Sequence, residues 1–244
     1  RSLLEAGKAA EAELTLADLE TVQKRGDKAR KMFKTGDRKY EQEAETADRM
    51  AEWLSAGRPA RLCPLDGEER ALADGWFLLT DKPVIYAANV AEEDAGKRPE
   101  QLPLVAEVAK RAKAEGAEVI LVSARIEEEI AGLAPEEKQP FLAELGLKES
   151  GLDRLVHAGY RLLGLISFLT VGEDECRAWT IRAGTRAPQA AGKIHTDFER
   201  GFIRAEIVPF ETLERLGSMA HCREKGLVRS EGKEYVMQDG DVTL

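Results

Sequence analysis

The sequence predicts an α/β protein in which a helical hairpin precedes a parallel β-α-β unit and a small mixed sheet follows it. Three observations favour this class: apolar residues at helical spacing over 1–57, two apolar runs that flank a helical segment, and short β-rich runs with turns from Leu165 onward. The 244 residues suffice for one large domain or for two to three small ones. We expect domains at 1–57, 58–164 and 165–244.

Composition predicts a soluble, cytoplasmic globular protein with no membrane span. We also expect a monomer, which does not follow from the composition. Hydrophobic residues make up 43% and charged residues 33% of the chain, and no apolar run reaches the length of a transmembrane helix. The net charge of −9 argues against binding nucleic acid over the whole surface. Cys63, Cys176 and Cys222 have no CxxC spacing, which favours reduced thiols over a zinc site or a disulfide framework.

The first 57 residues predict two long helices that fold back on each other. Apolar residues recur at helical spacing up to Phe33 and again from Ala44 to Leu54, around a break at Thr35-Gly36-Asp37, and Gly57-Arg58-Pro59 ends the second helix. Two interpretations stay open, a solvated helical arm packed on itself and an arm whose tip binds a partner. The tip carries six basic residues: Lys28, Arg30, Lys31, Lys34, Arg38 and Lys39.

The middle of the chain predicts a ligand site where two parallel strands end. The apolar runs Pro83–Glu92 and Glu118–Ala124 enclose helical spacing from Leu102 to Gly116. In an open parallel sheet, ligands bind at the carboxyl ends of the strands. The residues expected there are Asn89, Val90, Glu92, Ser123 and Ala124, which together would form the base-recognition half of a nucleotide site. The alternative is a turn after a strand that only caps the next helix.

The remaining segments predict short helices and then a β-grasp pattern. Helices are expected over 66–74, 126–131, 135–145 and 152–163. From Leu165 we expect strands over 166–171 and 176–181 around a Gly172–Glu175 turn, a helix over 187–195, a strand over 202–208 and a helix over 210–216. Short strands at 227–229, 235–238 and Val242 complete a mixed sheet with one helix-covered face.

The last domain also carries a local cluster of basic residues. Contact with phosphates, as in RNA, is one interpretation, and a mixed solvated surface balanced by nearby acids is the other. The cluster comprises Arg177, Arg182, Arg186, Lys193, Arg200 and Arg204.

The histidines predict no catalytic or metal site. His195 and Asp197 are close enough in sequence for a catalytic pair, but we expect His195 to stabilise the end of a helix. His157 and His221 have no other potential metal ligands at a suitable spacing, and we assign them no role.

Several of these segments together resemble one family. They are Asn89–Glu92, Ser123-Ala124, Glu13–Glu20 at the start of the arm, and the long stretches Arg177–Thr185 and Ala191–Glu206. This pattern resembles the YchF subfamily of Obg-related P-loop NTPases over nearly the whole chain except the first ten residues. The resemblance implies the remainder of a P-loop NTPase domain, with an inserted antiparallel helical arm over 1–57, and a β-grasp (TGS) domain over 165–244.

The resemblance also implies a purine nucleotide as ligand. Asn89–Glu92 stands where related GTPases carry the base-recognising Asn-Lys-x-Asp. The family resemblance implies that ATP is accepted, often in preference to GTP. From the residues, Asn89 is suited to pair with adenine N7 and N6–H₂. Glu92 has less to bind on adenine, whose N1 is unprotonated and which lacks a 2-amino group. The residues alone leave ATP and GTP open.

The motifs that hold phosphate and Mg²⁺ are missing. The sequence contains no Gly-x-x-x-x-Gly-Lys-Ser/Thr and no corresponding Asp-x-x-Gly, so we expect no catalytic or metal-binding residue in this chain. We expect the later two-thirds of a longer protein, rather than a trimmed paralogue, with the Mg²⁺ ligands in the missing amino-terminal part. The resulting hypothesis is a ribosome-associated ATP/GTP hydrolase that is inactive as this chain alone. The alternative is a non-catalytic RNA- or ribosome-binding module.

Overall fold

A computed structural model describes residues 3–33, 37–172 and 175–243. The predicted turns at Thr35-Gly36 and Glu173-Asp174, and Lys34 of the basic tip, lie outside the described residues. The chain divides into two compact units, Arg1–Leu155 and Val156–Leu244. The α/β class is confirmed, whereas the three-domain division stays a prediction.

The first unit is mostly helical and contains one short parallel sheet. Its 3-10 helices are Ala60–Leu62, Glu92–Asp94 and Pro99–Gln101, and its strands are β1 (Ile85–Asn89) and β2 (Glu118–Val122). Its helices are α1 (Leu3–Phe33), α2 (Arg38–Ser55), α3 (Gly67–Asp74), α4 (Pro103–Glu115), α5 (Ala124–Ala131), α6 (Pro135–Glu144) and the first turn of α7 (Gly151–Leu163).

Helices α1 and α2 pack against each other along a narrow apolar seam. Val22 on α1 and Met50 on α2 are fully buried in one cluster that also includes Leu54 and Trp76. Gly26 lies so close to α2 that a Cβ at this position would approach Ala47 Cβ to 3.2 Å. The seam is thin because the α1 positions on either side of it are exposed and polar. Asp37 begins α2 by accepting a hydrogen bond from the Lys39 amide at 3.0 Å.

The β-α-β unit forms where the apolar runs predicted it. Strands β1 and β2 pair in parallel, with Asn89 opposite Val122 in the register. Helix α4 connects them and ends at Gly116, whose φ of +68° is a left-handed conformation that glycine adopts without strain. Val105 on α4 packs on Ala88 and Leu121, so one face of this two-stranded sheet is covered by the connecting helix.

The second unit is a mixed sheet with helices on both faces. The sheet order is β4-β3-β7-β5-β6, with β3 and β7 parallel and the other neighbours antiparallel. The strands are β3 (Leu165–Val171), β4 (Cys176–Arg182), β5 (Ala205–Pro209), β6 (Arg229–Glu231) and β7 (Asp241–Thr243). The helices after α7 are α8 (Ala187–Ile194), α9 (Thr196–Gly201), α10 (Phe210–Leu216) and α11 (Met219–Glu224).

Two predictions for this sheet are wrong. We expected one helix-covered face, but Phe168 and Ile207 pack under α8 while Val208 and Val242 pack under α10 and α11. Successive residues of β5 point to opposite faces, so two adjacent apolar residues indicate that both faces are buried. The segment 235–238 is no strand; it contributes one isolated bridge, from Val236 to Arg186.

Candidate functional site

The candidate base-binding residues lie at one edge of the parallel sheet. Asn89 is the last residue of β1 and Val122 is the last residue of β2, and the register places them side by side. Ser123 and Ala124 therefore follow β2 next to the point where Asn89, Val90 and Glu92 follow β1. Parallel pairing brings together two loops that are about thirty residues apart in sequence.

The Asn89 side chain joins these two loops directly. Its Oδ1 accepts a hydrogen bond from the Ala124 amide at 3.0 Å, and the Val90 amide donates to the Val122 carbonyl at 2.9 Å. Ala124 is the first residue of α5, so its N–H has no partner inside the helix. Asn89 thus caps the helix that follows the other strand, while the rest of its amide group remains exposed.

Val90 and Ser123 contribute to the site through their backbone and packing. Val90 is half-buried and packs on the cluster around Ala88 and Leu121. Ser123 is only 3% exposed, and its hydroxyl makes no capping bond to α5, although its carbonyl accepts from the Glu127 amide at 3.0 Å. The Ala124 amide is occupied by Asn89 and so joins the two loops. A base-binding role for Ser123 and Ala124 stays a prediction.

Glu92 forms an ion pair that the sequence analysis missed. It begins the 3-10 helix Glu92–Asp94, and its Oε1 lies 2.5 Å from Nε of Arg125 on α5. Although the two atoms are close, Oε1 accepts no well-aligned hydrogen bond from any described residue. Arg125 remains 75% exposed and has Glu129 as a second, more distant carboxylate partner at 3.7 Å.

A buried ionic network lies at the other end of β1. Arg61 donates to Glu115 at 2.7 Å and to Glu11 at 2.6 Å, and Arg111 donates to both acids. Tyr86, on β1, donates its hydroxyl to Glu115 at 3.0 Å. Burial would raise the pKa of Glu115, but the bonds from Arg61, Arg111 and Tyr86 outweigh burial and hold the pKa below its ordinary value. Helix α1 is thereby tied to the strand that ends at Asn89.

The basic residues of the second unit are all exposed but do not share one face. Arg177 and Arg182 are five positions apart on β4, so they point to opposite sides of the sheet. Arg177 lies over the Trp179 ring at 4.2 Å, and Arg186 pairs with Glu234 at 2.6 Å. The other four have no ion pair with any residue that the structure describes: Arg182, Lys193, Arg200 and Arg204.

His195 has a capping role that differs from the expected one. His195 does end α8, where its backbone amide donates to the Ala191 carbonyl at 3.1 Å, but its imidazole Nδ1 accepts from the Asp197 amide at 3.2 Å and so caps the start of α9. His221 on α11 contacts the Leu216 carbonyl through Nδ1 at 3.0 Å. Within the described ranges, no group of three or more His, Cys, Asp or Glu side chains could hold a metal ion. Those ranges also contain no helix that is long and apolar enough to span a membrane.

Comparison with known proteins identifies relatives along most of the chain. A family model described as "YchF-GTPase_C: Protein of unknown function (DUF933)" matches residues 165–244. The chain is 50% identical over 230 residues to "Ribosome-binding ATPase YchF" of Bacillus subtilis (strain 168), covering 94% of this chain and 63% of the relative. It is 39% identical over 232 residues to "Obg-like ATPase 1" of Caenorhabditis elegans, covering 94% and 58%.

A solved structure agrees with these sequence matches. The structure of the Schizosaccharomyces pombe YchF GTPase superposes with a TM-score of 0.79 at 33% identity, covering 97% of this chain and 64% of that one. This chain thus spans less than two thirds of the length of these relatives, 63% for the Bacillus subtilis protein. Over 94% of its length, the chain is similar to the carboxyl-terminal part of YchF proteins.

Proposed function

We propose that this chain contains the base-binding part and the accessory domains of a ribosome-associated protein that hydrolyses ATP, GTP or both. The observation that carries the proposal is the hydrogen bond from Ala124 to Asn89, which holds two loops together at the carboxyl edge of a parallel sheet. The names of the relatives, ribosome-binding ATPases and a GTPase, support the same function.

In this proposal Asn89 is the main contact to the purine. Its Oδ1 uses one lone pair for Ala124 and keeps a second one, and its Nδ2–H₂ group is a donor. The donor suits purine N7, and the second lone pair suits the adenine N6 amine. Val90, Ser123 and Ala124 shape the site around the base, while Glu92 faces the Watson–Crick edge. Because adenine satisfies both halves of the Asn89 amide, we infer that ATP is the better ligand.

The residues present fit the base of a nucleotide and not its phosphates or Mg²⁺. The sequence has no Gly-x-x-x-x-Gly-Lys-Ser/Thr, and the described residues offer no acidic cluster for a cation. We therefore assign phosphate and Mg²⁺ binding to an amino-terminal P-loop part outside these residues, and no catalytic step to this chain. We assign 1–57 to a helical arm inserted in the nucleotide-binding domain, 58–164 to that domain and 165–244 to a TGS domain, in a cytoplasmic protein.

A second candidate function is a non-catalytic module that binds RNA or a ribosome. The observation that favours it concerns the predicted basic cluster, in which four exposed cations have neither an ion pair nor a ring contact with a described residue: Arg182, Lys193, Arg200 and Arg204. Unpaired cations need no partner to be displaced before they contact phosphates. This function and nucleotide binding are compatible, since the cations and Asn89 belong to different units.

The proposal is tested by titrating the complete gene product with fluorescent ATP and GTP analogues. We expect ATP to bind more tightly than GTP, and Asn89→Ala to remove this preference. Glu92→Asp should alter the preference less, because it keeps the carboxylate. If the complete gene product binds neither nucleotide, the base site is a structural loop and the RNA-binding module becomes the better account.

A further inference from the structure

The ion pair between Glu92 and Arg125 changes what the candidate base site presents to a ligand. A free carboxylate at position 92 would offer two acceptor oxygens to a base. Here Oε1 is buried and lies 2.5 Å from Nε of Arg125, while the Glu92 side chain as a whole is 33% exposed. The site edge therefore presents a neutralised carboxylate together with an exposed cation rather than an isolated negative charge.

Arg125 has donors to spare at this edge. Its contacts to Glu92 and Glu129 both involve Nε, and no described residue accepts a hydrogen bond from its terminal nitrogens. A guanidinium carries five N–H donors and no acceptor. Its position follows from the Asn89 contact, because Ala124 and Arg125 are the first two residues of α5 and Asn89 holds the Ala124 amide.

We propose that Arg125 contributes to base specificity together with Asn89, and that it favours adenine over guanine by occupying Glu92 and by presenting donors in its place. This inference rests on the proposed function, which places a purine at the edge formed by Asn89 and Ala124. It assigns a role to a residue that follows the candidate motif and is not a member of it.

The chemistry of the two purines supports this assignment. The Watson–Crick edge of guanine presents two donors, N1–H and N2–H₂, which a free carboxylate would accept. When Arg125 holds Glu92, these guanine donors meet a partly engaged carboxylate and the N–H groups of the guanidinium. Adenine presents an acceptor at N1 and no donor at C2, so an N–H of Arg125 can bind it. Guanine therefore loses a hydrogen bond at this edge that adenine can make.

The test is competition of ATP and GTP against a fluorescent ATP analogue on the complete gene product. The variants are Arg125→Ala, Arg125→Lys, Glu92→Gln and the double variant Arg125→Ala/Glu92→Gln. Lys113→Ala, which removes a positive charge from the exposed end of α4, is the matched control. The quantity compared is the ratio of the Kd for GTP to the Kd for ATP.

We expect Arg125→Ala to lower this ratio by about tenfold, the effect of one charge-assisted hydrogen bond, chiefly through tighter GTP binding. Arg125→Lys should keep most of the ratio, and the double variant should lose the gain for GTP because no carboxylate remains. A ratio that stays within about twofold of wild type in Arg125→Ala would overturn the inference and leave the base site standing. If the wild type binds neither nucleotide and Asn89→Ala binds no differently, the proposed function is overturned as well.

Discussion

Asp18 on α1 and Thr80, 62 positions later, are joined by two short hydrogen bonds in the interior of the first unit. The Thr80 amide and hydroxyl donate to Asp18 Oδ2 at 2.7 and 2.6 Å, and the Leu79 amide donates to Oδ1 at 2.7 Å. Both Asp18 and Thr80 are only 2% exposed. A buried carboxylate requires such partners, so the segment that precedes β1 is anchored to α1 by a contact that tolerates little change.

Replacing Asp18 by Ala should therefore destabilise the first unit strongly. The change removes three hydrogen bonds to a charged group and leaves two backbone N–H groups buried without an acceptor. We expect a loss of about 3 kcal/mol in the free energy of unfolding. Urea denaturation followed by circular dichroism measures this loss. Glu20→Ala, on the exposed side of the same helix, is the control and should cost less than about 0.5 kcal/mol. Equal losses in the two variants would contradict a structural role for Asp18.

The ionic network around Glu115 predicts a dependence of stability on pH. The pKa of Glu115 is lowered from 4.5 in the folded state, so its contribution is present above about pH 4.5. The contribution is lost as the pH falls through the lower, folded-state pKa. Glu115→Gln should cost about 3 kcal/mol near neutral pH because it breaks a buried ion pair.

The measurement is the free energy of unfolding of wild type and Glu115→Gln at a series of pH values. The difference between the two proteins should shrink as the pH is lowered below about 4.5, because Glu115 of the unfolded wild type then binds a proton that the folded state still excludes. Glu107→Gln on α4 is the control. Glu118→Gln is unsuitable for this purpose, since Glu118 makes a contact of its own. A difference that is constant from pH 7 to 3 would refute the ionic role of Glu115.

Gly116 should resist substitution for a conformational reason. Its φ is +68°, and a Cβ at this position would meet no atom within 4 Å, so the cost of a side chain is backbone strain alone. Gly116→Ala should lower the free energy of unfolding by about 1 kcal/mol. Gly159→Ala, in the interior of α7 with open space around its Cβ, should stabilise the protein instead. Thermal denaturation of both variants checks the opposite signs.

The cations of the predicted cluster that pair with no described residue should contribute to RNA binding in proportion to their number. The triple variant Lys193→Ala/Arg200→Ala/Arg204→Ala should weaken binding of ribosomes or ribosomal RNA and reduce the slope of log K against log salt by about 1 for each lost phosphate contact. Co-sedimentation and filter binding at several salt concentrations measure this slope. Arg186→Ala should have a smaller effect, because Arg186 is already paired with Glu234. An unchanged slope in the triple variant would place the RNA contact elsewhere.

Local patterns were enough to predict the β-α-β unit and the edge that carries the candidate site. Residues 83–124 alternate between apolar strands and helical spacing, and the rule that ligands bind at strand ends depends on chain order alone. Short helices were harder to predict. Helices α9 and α11 have six residues each, too few for an apolar period to emerge from their sequence.

Contacts between distant charges could not be predicted from the sequence. Asp18 and Glu11 are acidic residues on a long polar helix, where such residues are usually exposed. Their partners Thr80, Arg61 and Arg111 are far away in sequence, and no local pattern indicates the pairing. The ion pair of Glu92 with Arg125 is of the same kind. Ser123 and Ala124, which follow the strand, were predicted as site residues, but Arg125, the next residue, was not.

The central claim, that Asn89 contacts a purine, can be tested on its own side chain. Asn89 is the only asparagine among the 244 residues, so selective ¹⁵N-asparagine labelling gives this chain a single side-chain amide signal pair, which Asn89→Ala removes. We predict that millimolar adenosine nucleotides shift this pair, that guanosine nucleotides shift it less, and that cytidine nucleotides leave it in place. A signal pair that does not move with either purine, in this chain and in the complete gene product, would contradict a base-binding role for Asn89.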